Sequence, residues 1–186
     1  MAAQNLLQLW HDHHAQGRPG IPPEELLPYL GQAAEGIDFL NTREPAVIHR
    51  DVKPEHLLLT ADGRVKVAGP GPGKSAEGTN AAVGPAQVGM TLAYAAPELF
   101  ANTVTRWTDQ YSLALTYYRL RTGKLPFADG LGPMQIMQAH ANGTLDFAAV
   151  PTAERAVLKR ACAVEPDRRF PSCGEFVAAL QAAVAG

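Results

Sequence analysis

Leu26, Leu30, Ala33, Ile37 and Leu40 follow Pro22-Pro23-Glu24-Glu25 at near-helical spacing, which predicts an amphipathic helix with one buried stripe. Proline in the first turn and acids at the positive dipole end suit its start. Pro28 is a local conflict, because it brings no backbone donor to the helix interior. Upstream, residues 5–15 predict a short helix with Leu6, Leu9 and Trp10 on one face, and residues 17–22 a stiff linker. Two β-prone runs, Leu57-Leu58-Leu59 and Val65-Lys66-Val67, flank Ala61-Asp62-Gly63-Arg64 and predict a hairpin. Residues 109–120 are apolar nearly all round, so that helix belongs in the middle of a domain. Gly123 ends it and Pro126 prevents its resumption. Pro133 opens a short helix carrying Ile136 and Met137, and residues 154–163 predict another. The last helix starts at a Ser172–Glu175 capping box and buries Phe176, Val177 and Leu180. Residues 69–89, rich in Gly, Ala and Pro, read as a long loop. The fold class is mainly α, with one short β-hairpin.

Composition narrows the picture little. The 186 residues suit one domain with its own core, and 46% hydrophobic content excludes general disorder. A net charge of −2 gives no reason to expect nucleic acid or a membrane surface as partner. The N-terminus carries no leader pattern and no window has the length of a membrane span, so a cytoplasmic location is expected. Cys162 and Cys173 read as reduced core thiols rather than a disulfide framework. His11-Asp12-His13-His14 reads as a solvated helix end, since adjacent helical residues point apart; no metal site is expected there.

The chemistry is concentrated in His49-Arg50-Asp51-Val52-Lys53-Pro54-Glu55-His56-Leu57-Leu58-Leu59. It is followed in order by Thr91-Leu92-Ala93-Tyr94-Ala95-Ala96-Pro97-Glu98, by Asp109 with Tyr111-Ser112-Leu113, by Gly123-Lys124-Leu125-Pro126-Phe127, and by Glu165-Pro166-Asp167-Arg168-Arg169. Taken together these resemble the HRDxKxxN, TxxYxAPE, central-helix, GxxPF and DPxxR motifs of the C-terminal lobe of a eukaryotic-like Ser/Thr protein kinase, in bacterial style. The resemblance covers nearly all of residues 1–186. It divides them into a first helix and linker (1–20), a catalytic-type loop (49–59), an activation-type segment (69–98) and a helical base (109–186). The chain begins about where the family's hinge ends, so the N-lobe, with its Gly-rich loop and lysine, is expected to be absent.

The resemblance implies a role for each matching residue. Asp51 stands where the family's aspartate accepts the proton of the acceptor hydroxyl, Lys53 where a lysine meets the transferring phosphate, and Thr91 where a threonine orders the two. His49, Arg50, Glu98, Asp109 and Arg169 take structural positions, with Glu98 paired to Arg169 and Asp109 capping the loop backbone. The family uses ATP and Mg²⁺. Here the two magnesium ligands are replaced: Gly69-Pro70-Gly71 stands for DFG, and His56 for the asparagine. Imidazole is a poor ligand for a hard ion, so no cofactor is expected. Ser75 and Thr79 read as solvated loop residues ahead of the alternative, a phosphate on either that pairs with Arg50. The leading expectation is a non-catalytic, pseudokinase-like binding or regulatory module. The alternative is a catalytic-domain fragment whose N-lobe lies upstream or on another chain. Without an N-lobe, the face near Leu57, Leu59 and Val67 is expected to be an exposed apolar patch serving a protein partner or a homodimer.

Overall fold

The computed structural model describes residues 4–69 and 92–186. Strand β1 (Gln4–Asn5) leads into helix α1 (Leu6–Ala15), and α2 (Pro23–Asn41) follows the linker. A 3₁₀ turn (Pro54–His56) precedes β2 (Leu57–Leu59) and β3 (Val65–Val67). Helices α3 (Pro97–Phe100), α4 (Thr108–Thr122), α5 (Pro133–Asn142), α6 (Thr152–Ala161) and α7 (Cys173–Ala185) complete the described chain. Helix α2 runs through Pro28.

Three features differ from the sequence reading. The hairpin forms as expected, with Leu57 opposite Val67, but β1 adds a third antiparallel strand, Gln4 opposite Leu59. Two residues are too few to give a periodic signal. The apolar face near the hairpin is not open: Leu57 is fully buried, and Leu59 and Val67 are half-buried against the core. The edge strand β1 lies beside β2, while α2 packs under β3. The large apolar side chains that are exposed, among the described residues, are Phe39 at 60% and Met134 at 65%. Lastly, His13 is not solvated. It is buried, with Nε2 3.1 Å from Glu25 and Nδ1 3.1 Å from Arg18, and so joins α1 to the start of α2.

Helix α4 is the axis of the domain. Twelve of its residues, from Thr108 to Leu120, are buried, which is why its sequence lacks a polar face. Gly123 closes it with φ +72°, and a Cβ there would press on the Pro19 carbonyl and the Trp10 ring. Buried polar groups on this axis and on α2 fix the base. Gln110 accepts from the Phe170 amide and donates to the Phe170 and Ser172 carbonyls, each at 2.9 Å. Asp38 on α2 accepts from the Cys173 and Gly174 amides at 2.9 and 2.8 Å, capping α7 where Ser172 also caps it. Cys162 and Cys173 are buried and free; burial pushes the Cys162 thiol up to about 12, so it is inert.

Candidate active site

The catalytic-type loop is held from below by one carboxylate. Asp109, in the first turn of α4 and fully buried, accepts from the His49 amide at 2.7 Å and the Arg50 amide at 2.8 Å. Burial holds its carboxyl above the usual range even though both amides favour the charged form. Arg50 needs this support, because its φ of +68° is costly for a residue with a side chain. Val52 is buried, with its carbonyl 3.5 Å from the Thr116 hydroxyl on α4. These anchors leave Asp51 and Lys53 partly exposed on the loop.

Asp51 is the centre of a compact polar cluster. Lys53 Nζ lies 3.1 Å from its Oδ2, and His56 Nδ1 lies 3.3 Å from the same atom. His56 Nδ1 is also 2.7 Å from the Asp51 carbonyl. A carbonyl only accepts, so Nδ1 carries the proton and has no lone pair to offer a metal. The Asp51 amide donates to His49 Nδ1 at 3.3 Å. Burial lowers the pKa of His49. Thus a carboxylate and a lysine, each partly exposed, lie side by side on the loop.

The adjoining corner differs. Gly69 has φ +147°, a conformation that side-chain-bearing residues rarely take. A Cβ built there would sit 3.0 Å from His49 Cε1 and 3.0 Å from His56 Nδ1. The two imidazoles meet edge to face, with centroids 6.0 Å apart, and occupy the space beside the glycine. Magnesium demands an octahedron of oxygen ligands. Gly69 supplies no side-chain oxygen and His56 has committed its nearer nitrogen, so these residues do not fit the ion. No group of three or more His, Cys, Asp or Glu able to hold a metal occurs among the described residues. Thr91, Pro70, Gly71, Ser75 and Thr79 lie outside the described residues.

Farther out, Arg169 and Glu98 form a two-pronged ion pair at 2.9 and 2.8 Å. Arg169 also donates to the carbonyls of Ala163, Trp107 and Val164, and Glu98 accepts from Thr108. Burial by itself would raise the Glu98 pKa; Arg169 overrides it and holds the carboxyl below the usual range. The pair ties α3, and with it the end of the activation-type segment, to the base. Sequence reading missed Gln110, Asp38 and the buried His140. A long polar side chain in a helix buried on every side is the available signal for Gln110; nothing comparable marks Asp38.

Comparison with known proteins agrees with this architecture. A profile of the protein kinase domain matches residues 4–177. The Ser/Thr protein kinase PknJ of Mycobacterium tuberculosis is 36% identical over 168 residues, covering 84% of this chain and 28% of that protein. PknA of Corynebacterium glutamicum is 33% identical over 172 residues, covering 89% of this chain and 35% of its own length. Among solved structures, the M. tuberculosis PknI kinase domain superposes with a TM-score of 0.69 at 28% identity, covering 99% of this chain and 63% of that one. The chain belongs to the protein kinase family, and its relatives are bacterial Ser/Thr kinases. It spans about a third of the length of these curated relatives. Among the described residues, no helix is long and apolar enough to cross a membrane.

Proposed function

We propose that this domain is a non-catalytic, kinase-derived module that works by binding a protein partner in the cytoplasm. The single observation behind this reading is Gly69, at the family's metal-binding position. It has no carboxylate, and two imidazoles stand where that carboxylate would reach. Phosphoryl transfer is almost entirely positioning and charge stabilisation around the metal-bound phosphates. Loss of both metal ligands therefore removes the donor half of the reaction. The acceptor half persists as a shaped surface around Asp51 and Lys53.

A second reading is favoured by that same surface: a piece of a Ser/Thr kinase catalytic domain acting with an N-lobe supplied upstream or in trans. The Asp51–Lys53 pair at 3.1 Å is the observation in its favour. ATP titration by calorimetry, with and without magnesium, separates the two. The binding-module reading predicts the same affinity in both conditions, however weak. A magnesium-dependent gain in affinity would support the enzyme reading instead.

A further inference from the structure

His140, on α5, is fully buried, and both of its ring nitrogens are used. Nδ1 is 2.6 Å from the Tyr111 hydroxyl, and Nε2 is 3.0 Å from the carbonyl of Leu92. Leu92 lies in the activation-type segment, and its carbonyl also accepts from the Ala95 amide at 3.1 Å. The carbonyl cannot donate, so Nε2 carries the proton. A neutral imidazole then presents a bare Nδ1, and the Tyr111 hydroxyl donates to it. The groups facing His140 are the Tyr111 phenol from α4, the Phe100 ring from α3, the Phe127 ring from the α4–α5 connection, and the Leu92 carbonyl. Tyr111 is the titratable one, and burial pushes its phenol pKa upward, so it stays a donor.

Tyr111 has a second task. The Arg169 guanidinium lies over its ring, 4.9 Å from the centroid, and grips Glu98. One side chain of α4 thereby reaches both ends of residues 92–98: Glu98 through the Arg169 on its ring, and Leu92 through the His140 on its hydroxyl.

We propose that Tyr111 and His140 are a positioning pair that fixes residues 92–98 on the helical base, with neutral His140 as the removable link between α5 and the Leu92 carbonyl. The role goes beyond the binding-module reading and holds whether or not phosphate is transferred. It also links α5, whose Met134 is exposed, to residues 92–98.

Amide hydrogen exchange tests the pair. His140→Leu fills the site without polar atoms, Tyr111→Phe keeps the ring under Arg169 and removes only the hydroxyl, and His140→Gln restores a donor at about the Nε2 position. Exchange at Ala95 and its neighbours is expected to quicken about tenfold in His140→Leu, the consequence of one lost hydrogen bond. It is expected to quicken in Tyr111→Phe as well and to stay near the parent rate in His140→Gln, with α7 unchanged throughout. ¹⁵N NMR of the parent protein at neutral pH should show the proton on Nε2. Unchanged exchange in both His140→Leu and Tyr111→Phe would overturn the proposal, as would equal loss of protection across α7 or an Nδ1-protonated ring. Should His140→Leu fail to fold, Tyr111→Phe and the NMR tautomer still decide it.

Discussion

Replacing Arg169 by alanine is expected to destabilise the domain by about 3–5 kcal/mol, the range for removing one partner of a buried ion pair. The Arg169 side chain is 0% exposed and that of Glu98 only 8%. The loss would leave Glu98 charged in a site whose burial opposes the charge, and would take the Arg169 donors from the Ala163 and Val164 carbonyls and from that of Trp107, which keeps the Tyr111 amide. It would also remove the cation over Tyr111. Arg169→Lys keeps the charge without the planar fork and is expected to recover only part of the loss. Urea unfolding monitored by circular dichroism measures both. A cost below about 1 kcal/mol for Arg169→Ala would mean that the pair is not the anchor described here.

Acid should release a second increment through His140. Its pKa is lowered by burial from 6.5 to about 4. Between those values the unfolded chain binds a proton that the folded chain refuses, so stability is intact above pH 6.5 and falls as the pH drops toward 4. The difference amounts to roughly 3 kcal/mol. Denaturation midpoints of the parent and of His140→Gln, compared at pH 7 and pH 4, isolate this histidine from the others. The parent is expected to lose about 3 kcal/mol more than the variant over that interval. Equal losses would show that His140 is not a buried neutral ring.

Helices were legible where burial imposed a period. The stripe on α2 and the nearly all-round apolar stretch of α4 announce both elements, and Pro133, Gly123 and Ser172 mark ends that the structure keeps. Strand β1 was not legible, because its pairing depends on where β2 lies and not on its own two residues. The presumed open face near Leu57 failed for the same reason: packing by α2 and by β1 is a tertiary fact. At the site, the motif letters locate Asp51, Lys53, His56 and Gly69, since they lie close together in sequence around one loop and one hairpin. What they do not carry is geometry across the fold. The closure of two imidazoles on Gly69, the double grip of Asp109, and the path from Tyr111 through His140 to Leu92 join residues 13 to 60 positions apart.

On the proposed reading, an acceptor surface survives on a domain whose metal corner does not fit magnesium. Phosphate transfer from radiolabelled Mg-ATP to a generic Ser/Thr substrate tests it most directly. It should be measured on the longest protein that carries this domain, side by side with its Asp51→Ala variant. No transfer by either protein is expected. Turnover by the parent that Asp51→Ala abolishes would contradict it.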